Sequence, residues 1–150
     1  MIDSFRGKYA FLSNFYSSPI TIHAIVYPTV EHAFHAMKSL DQQTREIISK
    51  APTATTAKHM GNEIKLRSDW EDIKLSIMKA LVFFKFSAHI DLQARLLETG
   101  DEKLVEGNWW RDTFWGVCNG KGENHLGKIL MEVRDIFRGE KNGQICDDNQ

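Results

Sequence analysis

The sequence predicts a mainly helical α+β fold in a single domain, with a small β component near the N-terminus. Two observations carry this prediction. Residues 67–87, RSDWEDIKLSIMKALVFFKFS, repeat apolar residues at helical spacing behind an S-x-x-E capping motif. Residues 19–28, PITIHAIVYP, have the pattern of a short hairpin bounded by prolines. A chain of 150 residues is long enough to bury one core.

The first half of the chain supplies most of the predicted elements. Residues 8–16, KYAFLSNFY, alternate loosely between apolar and polar and predict a short strand before the hairpin. A helix is expected after Thr29, its N-cap, and two short helices after Asp41 and Thr53. The long helix is expected to begin with Ser68 as its cap.

The second half is predicted to contain two further helices around a loop. DLQARLLETG predicts a helix that ends at Gly100, KLVEG (103–107) a short strand, and residues 108–124 a loop. The last helix is expected to run from Asn124 to Gly139, where the glycine ends it. The predicted domain therefore covers residues 1–138, and residues 139–150 have the composition of a loose tail.

Composition excludes several classes of protein. A net charge of −1 gives no electrostatic footprint for non-specific nucleic-acid binding. The two cysteines, Cys118 and Cys146, form no CxxC motif, which argues against a disulfide framework or a structural zinc site. No apolar run approaches about 18 residues and no signal peptide opens the chain. We therefore expect a cytoplasmic protein with no membrane partner; the sequence does not indicate its oligomeric state.

Residues 27–39, YPTVEHAFHAMKS, place titratable side chains in an otherwise apolar segment. On a helix of about 3.6 residues per turn the apolar residues form one core-facing stripe. Glu31, His35 and Lys38 form a second stripe, rotated by roughly 100° from the first. The polar stripe therefore borders the core as the floor of a cleft does. The alternative is a solvated helix face on which Glu31 stabilises the helix N-terminus.

The loop NWWRDTFWG is the second candidate region, because three of the four tryptophans fall within it. Such rings normally enter the core or lie against a flat ligand. Asp112, set among them, is a candidate acid. The alternative is that the tryptophans fill the core beneath the loop and Asp112 caps a turn.

Two weaker signals complete the survey. The glycines of GVCNGKGENHLGK precede a helix N-terminus near Lys121 and Lys128, which suits either a phosphate or a flexible turn. Glu31 and His35 stand at metal-ligand spacing, but HExxH is absent and no third ligand can be named. We expect neither a metal nor a cofactor.

Five segments resemble the NADAR (YbiA-like) superfamily in order and spacing: FLSNFY, YPTVEHAFHAMKS, RSDWEDIKLSIMKALVFFKF, LLETGDEKLVEGNWWRDTFWG and GENHLGKILMEVRDIF. The resemblance runs from about Phe11 to Phe137. It implies a compact α+β fold and an N-glycosidase that needs no metal. Some members act on a riboflavin-pathway ribosylamino-pyrimidine phosphate, and others remove ADP-ribose from guanine in nucleic acid.

The resemblance also implies site residues, carried over motif by motif. Its Y-P-T-x-E-H segment gives Glu31 and Lys38 as catalytic residues, and its D-x-x-W-G element gives Asp112. Substrate-binding residues are expected where the remaining motifs fall: Trp70, Trp115, Asn14, Phe15, His35 and Asn124. The sequence departs from the family at Ala24, where a glycine-like turn residue is expected, and at Val117–Cys118, where many members are richer in glycine.

The resemblance therefore implies an enzyme that hydrolyses the ribose C1–N bond of an N-ribosylated base bearing phosphate or ADP-ribose. Its partner is a small nucleotide-like molecule or ADP-ribosylated guanine. Cleavage passes through an oxocarbenium-like state, which requires negative charge near C1, a proton for the leaving nitrogen and a positioned water. A leaving nucleobase also requires aromatic faces on which to stack. Two carboxylates and two tryptophans together meet these requirements. The alternative is a non-catalytic module that binds nucleotide or ADP-ribose.

Overall fold

The computed structural model describes the backbone of residues 1–147 and the side chains of residues 1–140. Contacts divide the chain into two compact units. The first unit joins Met1–Leu12 to the chain from His89 onward, and the second is Ser13–Ala88. The architecture is mainly helical with a small antiparallel sheet, which confirms the predicted α+β class. No helix in the described part of the chain is long and apolar enough to cross a membrane.

The second unit is built around a short central helix. Strands β1 (Ile20–Ile22) and β2 (Ile25–Tyr27) pair antiparallel, and helices α1 (Val30–Ala36), α2 (Gln42–Ser49), α3 (Ala54–Glu63) and α4 (Trp70–Ala88) follow. Helix α1 packs against the other three helices and both strands. Its position at the centre explains why every one of its residues is buried, charged ones included.

The hairpin turn adopts an unusual backbone conformation. His23 and Ala24 both have positive φ, at 50° and 65°. Two consecutive positive φ values match the right-handed twist of paired strands, but they suit glycine or asparagine far better than alanine. The expectation that a glycine-like residue belongs at position 24 therefore has a structural basis.

The helix N-termini are largely as predicted. Thr29, Asp41 and Thr53 cap α1, α2 and α3, each accepting a hydrogen bond from a backbone N–H three residues later, which confirms three predictions. Helix α4 begins at Trp70, one residue later than the capping motif predicted. The Glu71 carboxylate lies 2.7 Å from Lys74 Nζ, so it forms an ion pair along the helix.

The first unit contains a 3-10 helix (Gly7–Leu12), α5 (Ile90–Glu98), the parallel pair β3 (Gly107–Asn108) and β4 (Val117–Cys118), and α6 (His125–Asp147). Its core is formed by apolar side chains that include Leu96, Leu104, Leu126, Leu130 and Val133. Gly100, with φ of 61°, follows the Thr99 C-cap of α5, which confirms the predicted end of that helix.

Four predicted boundaries in this unit and next to it are wrong. The strand expected at residues 8–16 is largely replaced by the 3-10 helix. The strand expected at 103–107 is reduced to an isolated bridge between Ile2 and Leu104, followed by β3. The predicted loop 108–124 contains β4. Helix α6 continues through Gly139 to Asp147; residues 148–150 of the expected loose tail lie outside the described residues.

Candidate active site

His32 fixes the N-terminus of α1. The Thr29 hydroxyl accepts a hydrogen bond from the His32 backbone N–H at 3.1 Å, and the same oxygen lies 2.8 Å from His32 Nδ1. His32 Nε2 lies 3.0 Å from the Ala51 carbonyl oxygen. Because a carbonyl only accepts, Nε2 carries the proton and Nδ1 accepts from the threonine hydroxyl. Both ring nitrogens are therefore used to anchor the start of α1.

Glu31 and His35 form a buried pair one helical turn apart. Glu31 Oε1 lies 2.8 Å from His35 Nε2, and the glutamate is only 8% exposed. The alternative of a solvated helix face is therefore wrong for this stripe. The Glu31 backbone N–H also donates to the Asn14 carbonyl oxygen at 3.1 Å, so the residue is held at both ends.

Gly61 on α3 makes room for this pair. A Cβ atom at position 61 would lie 2.2 Å from His35 Nδ1, far inside any van der Waals contact. Nδ1 is buried and has no hydrogen-bond partner among the described residues. The ring therefore packs closely against α3 at Gly61, and of its two nitrogens only Nε2 has a polar partner among the described residues.

Lys38 completes this cluster from just beyond α1. The helix ends at Ala36 with Met37 as its C-cap, so Lys38 lies in the following turn and not on the helix face that the pattern predicted. Its Nζ donates to the Gly61 carbonyl oxygen at 3.4 Å. Burial lowers the pKa of Lys38, the Glu31 charge opposes that effect, and Lys58 adds to it. A larger fraction of the Lys38 amine is therefore neutral than in a solvated lysine.

The other predicted residues of the second unit surround this cluster more loosely. Trp70 is buried, and its ring centroid lies 5.0 Å from that of Phe34. The Asn14 side-chain amide points to Met78 Sδ at 3.4 Å, so Asn14 supports Glu31 through its backbone. Phe15 is 45% exposed and is the substrate-binding candidate most open to solvent.

Lys85 is a buried cation that the sequence analysis missed. It lies on α4, its Nζ donates to the Ser13 carbonyl oxygen at 3.0 Å, and the residue is only 1% exposed. Burial lowers its pKa to about 7. The signal in the sequence was a lysine inside the apolar run VFFKF, where a solvated side chain is not expected.

The first unit holds the aromatic loop. Asp112 Oδ1 accepts hydrogen bonds from the backbone N–H groups of Phe114 at 3.1 Å and Trp115 at 2.9 Å. Asn108 closes the same turn by bonding to both the N–H and the carbonyl of Asp112. Asp112 therefore caps a turn, which is the alternative to a catalytic acid given above. The hydrogen bonds described for its side chain all use Oδ1. Its part in catalysis stays a prediction.

The tryptophans of this loop do not fill the core. Trp109 is 69% exposed and Trp110 is also exposed, so that alternative is wrong for both rings. Trp115 packs edge-on against Phe114 at 4.8 Å and lies 6.4 Å from the His125 ring. His125 is a second aromatic partner that the sequence analysis did not identify.

Asn124 supports the backbone of the first unit. Its Oδ1 accepts from the Glu106 N–H and its Nδ2 donates to the Leu104 carbonyl, both at 3.0 Å. The second unit thus brings Glu31, His35 and Lys38 together, whereas the first brings Asp112 and Trp115 together. Among the described residues, no group of three His, Cys, Asp or Glu side chains is arranged to hold a metal ion.

Comparison with known proteins identifies the family of this chain. The NADAR domain model matches residues 3–138. N-glycosidase YbiA of Shigella boydii serotype 4 is 42% identical over 92% of this chain and 88% of its own. An N-glycosidase of Nostoc punctiforme is 42% identical over 87% of this chain and 86% of its own. The NMR structure of the Escherichia coli protein YbiA superposes with a TM-score of 0.82 at 37% identity, covering 94% of this chain and 89% of that one.

The matched length and identity define the class: this chain belongs to the NADAR domain family. A more distant relative, a riboflavin biosynthesis protein of Vibrio vulnificus, is 38% identical over 85% of this chain but only 35% of its own length. The family resemblance read from the sequence motifs is therefore confirmed.

Proposed function

We propose that this protein is an N-glycosidase that hydrolyses the ribose C1–N bond of an N-ribosylated base bearing phosphate or ADP-ribose. One observation carries the proposal: a carboxylate, Glu31, is buried beside a histidine and a lysine at the centre of a helical unit. Burial of a charged group costs free energy, so such a cluster is retained where chemistry requires it. The names of the relatives, N-glycosidase among them, support the same reaction class.

Glu31 is proposed to act as a carboxylate. Departure of the base leaves positive charge on C1 and the ring oxygen, and a fixed negative charge in a poorly solvated site stabilises that state. The same carboxylate orients the attacking water. His35, bonded to Glu31 through Nε2, holds the carboxylate in one orientation and contacts the ribose. The water supplies the hydroxyl of the product, and its proton leaves through the carboxylate.

Lys38 has two proposed roles. As a cation it binds a phosphate or a ribose hydroxyl. As a neutral amine, which its lowered pKa favours, it attacks C1 of the opened sugar. The C1–N bond to the base then breaks as the general acid protonates the leaving nitrogen, and water hydrolyses the resulting Schiff base to release the sugar and the free lysine. Borohydride reduction during turnover separates the two: an adduct on Lys38 supports the covalent route, and its absence leaves only the electrostatic one.

The remaining residues are proposed to bind the substrate. Asp112 is our candidate for protonating the leaving base or polarising water, and Trp115 and Trp70 for stacking on it. Phe15, Asn14 and Asn124 are proposed as further substrate-binding residues. Replacement of Asp112 by Asn retains an oxygen for the turn and removes the acid. An unchanged kcat in that variant would restrict Asp112 to its structural part.

The test is hydrolysis of defined substrates. Purified protein is incubated with the riboflavin-pathway ribosylamino-pyrimidine phosphate and, separately, with ADP-ribosylated guanine in DNA, and the released base and sugar are quantified. The proposal is supported if the protein turns over either substrate and Glu31→Gln abolishes that turnover. The matched control is Glu63→Gln, which removes an exposed carboxylate of α3. Saturable binding without turnover would identify a binding module instead. Residence in the cytoplasm is part of the same proposal, and fractionation tests it.

A further inference from the structure

An open groove of about 780 Å³ runs along the first unit. Its walls come from the N-terminal segment, from β3 and β4, and from the first turns of α6. The charged and aromatic groups that line it are Asp3, Arg6, Lys103, Trp109, Glu123 and Lys128. These six residues have no part in the hydrolysis proposed above, although Asn124, which is proposed there to bind the substrate, also lines the groove.

Trp109 gives the groove a flat aromatic surface. The indole is 69% exposed, yet it is held in place: the Arg6 guanidinium lies 3.7 Å from its ring centroid, and Trp110 packs edge-on at 5.0 Å. Exposed aromatic area of this size is costly in water unless it serves binding. Because the guanidinium lies over one face of the indole, a nucleobase would stack on the opposite face.

The charges along the groove favour an anion. Arg6, Lys103 and Lys128 are exposed cations, against two carboxylates. One of these, Glu123, is already 3.6 Å from His125 Nε2. The glycine-rich segment identified in the sequence also contributes here, because Gly120 and Gly122 line the groove beside Lys128. A Cβ atom at Gly120 would meet nothing within 4 Å, so the groove is open at this residue, whereas Gly122 packs closely against the Gly116 carbonyl oxygen.

We propose that this groove binds a nucleoside monophosphate, with its base stacked on Trp109 and its phosphate held by Lys103 and Lys128. An isolated mononucleotide and a terminal nucleotide of a single strand present the same chemistry. Binding requires no bond cleavage, so the proposal extends beyond the N-glycosidase function and does not depend on it.

The test uses the full chain and reads each tryptophan separately. AMP is titrated into protein labelled with ¹⁵N at the indole nitrogens, and the four indole resonances are assigned with single Trp→Phe variants. We expect a saturable shift at Trp109 and Trp110, a weaker effect with adenosine or ribose 5-phosphate alone, and competition by a short oligonucleotide if strands are the source. No shift up to about 10 mM AMP, the mM range of the weakest specific ligands, or one confined to Trp70 and Trp115, overturns the proposal.

Calorimetric titration of variants completes the test. Trp109→Leu is expected to weaken AMP binding roughly 5- to 150-fold, the range of base–aromatic stacking, and its exposure makes a folding defect improbable. Lys128→Gln is expected to weaken it up to roughly 5-fold and to reduce its salt dependence. The matched control is Lys121→Gln, an exposed lysine that precedes α6 and does not line the groove. Equal affinities for all three variants and wild type refute the assignment. Glu31→Gln should bind AMP normally, which separates this result from the hydrolysis test.

Discussion

Lys85 offers the sharpest test of how burial and charge are balanced in this fold. Replacement by Met keeps the length of the side chain and removes the amine. In the native protein the pKa of Lys85 is lowered by burial from 10.5 to about 7. At about 1.4 kcal/mol for each pKa unit, that lowering corresponds to about 5 kcal/mol. It is the free energy by which burial penalises the charged amine.

The sign of the pH dependence follows from proton counting. Between pH 7 and 10.5 the unfolded chain carries a proton on Lys85 that the folded protein does not, so the free energy of unfolding rises with pH across this window. Below pH 7 both states are protonated and the penalty is complete. The Met variant escapes the penalty but loses the hydrogen bond to the Ser13 carbonyl, which costs about 1–2 kcal/mol.

Urea denaturation of both proteins at pH 6 to 10 measures the balance. We expect Lys85→Met to be more stable than wild type by about 3 kcal/mol at pH 6 and less stable by about 1 kcal/mol at pH 10. Other titrating groups cancel in the difference between the two proteins. Lys79→Met, at an exposed position on the same helix, is the control and should give a difference that does not vary with pH. A constant difference for Lys85→Met as well would refute the reasoning.

Four further substitutions test the site and the residues that support it. Glu31→Gln should lower kcat roughly 10²–10⁴-fold with little change in KM, since the charge acts in the transition state; a purely raised KM in steady-state kinetics would contradict this. Gly61→Ala forces the His35 ring off α3 and should lower both kcat and the melting temperature. Gly139→Ala, in a helix with open space around it, should instead stabilise by about 1 kcal/mol, and equal effects of the two alanines would refute the steric argument. Ala24→Gly should stabilise by about 1 kcal/mol, read from chemical denaturation, because it relieves a positive φ; a loss of stability would contradict that.

The sequence predicted the features that depend only on residues close together in the chain. The caps Thr29, Asp41 and Thr53 were identifiable because each bonds to an N–H three residues away. The adjacency of Glu31 and His35 followed from one helical turn. Their burial did not follow, because a polar stripe on a short helix has the same spacing whether water or three other helices cover it.

Contacts between distant parts of the chain escaped prediction. The pairing of β3 with β4 involves two residues in each strand, too few for an alternating pattern. The stacking of Arg6 on Trp109 joins residues that no local motif connects. The sequence predicts that Gly139 ends α6, but the helix continues past it. A glycine inside a helix costs only about 1 kcal/mol, which the rest of the helix outweighs. The contact of His35 with Gly61 also escaped prediction, because no motif in α3 marks Gly61 as a contact residue.

The contact of both His35 and Lys38 with Gly61 has a consequence for how this sequence can vary over evolutionary time. Helix α3 meets the two residues through its bare backbone at one position: the ring lies against the Cα and the amine bonds to the carbonyl. Exposed positions of the helix such as Thr55 and His59 can vary in sequence, because their side chains do not fix that contact. Position 61 cannot gain even a methyl group. A saturation library across α3, selected for activity, should therefore return diverse residues at its solvent-facing positions and glycine at this one.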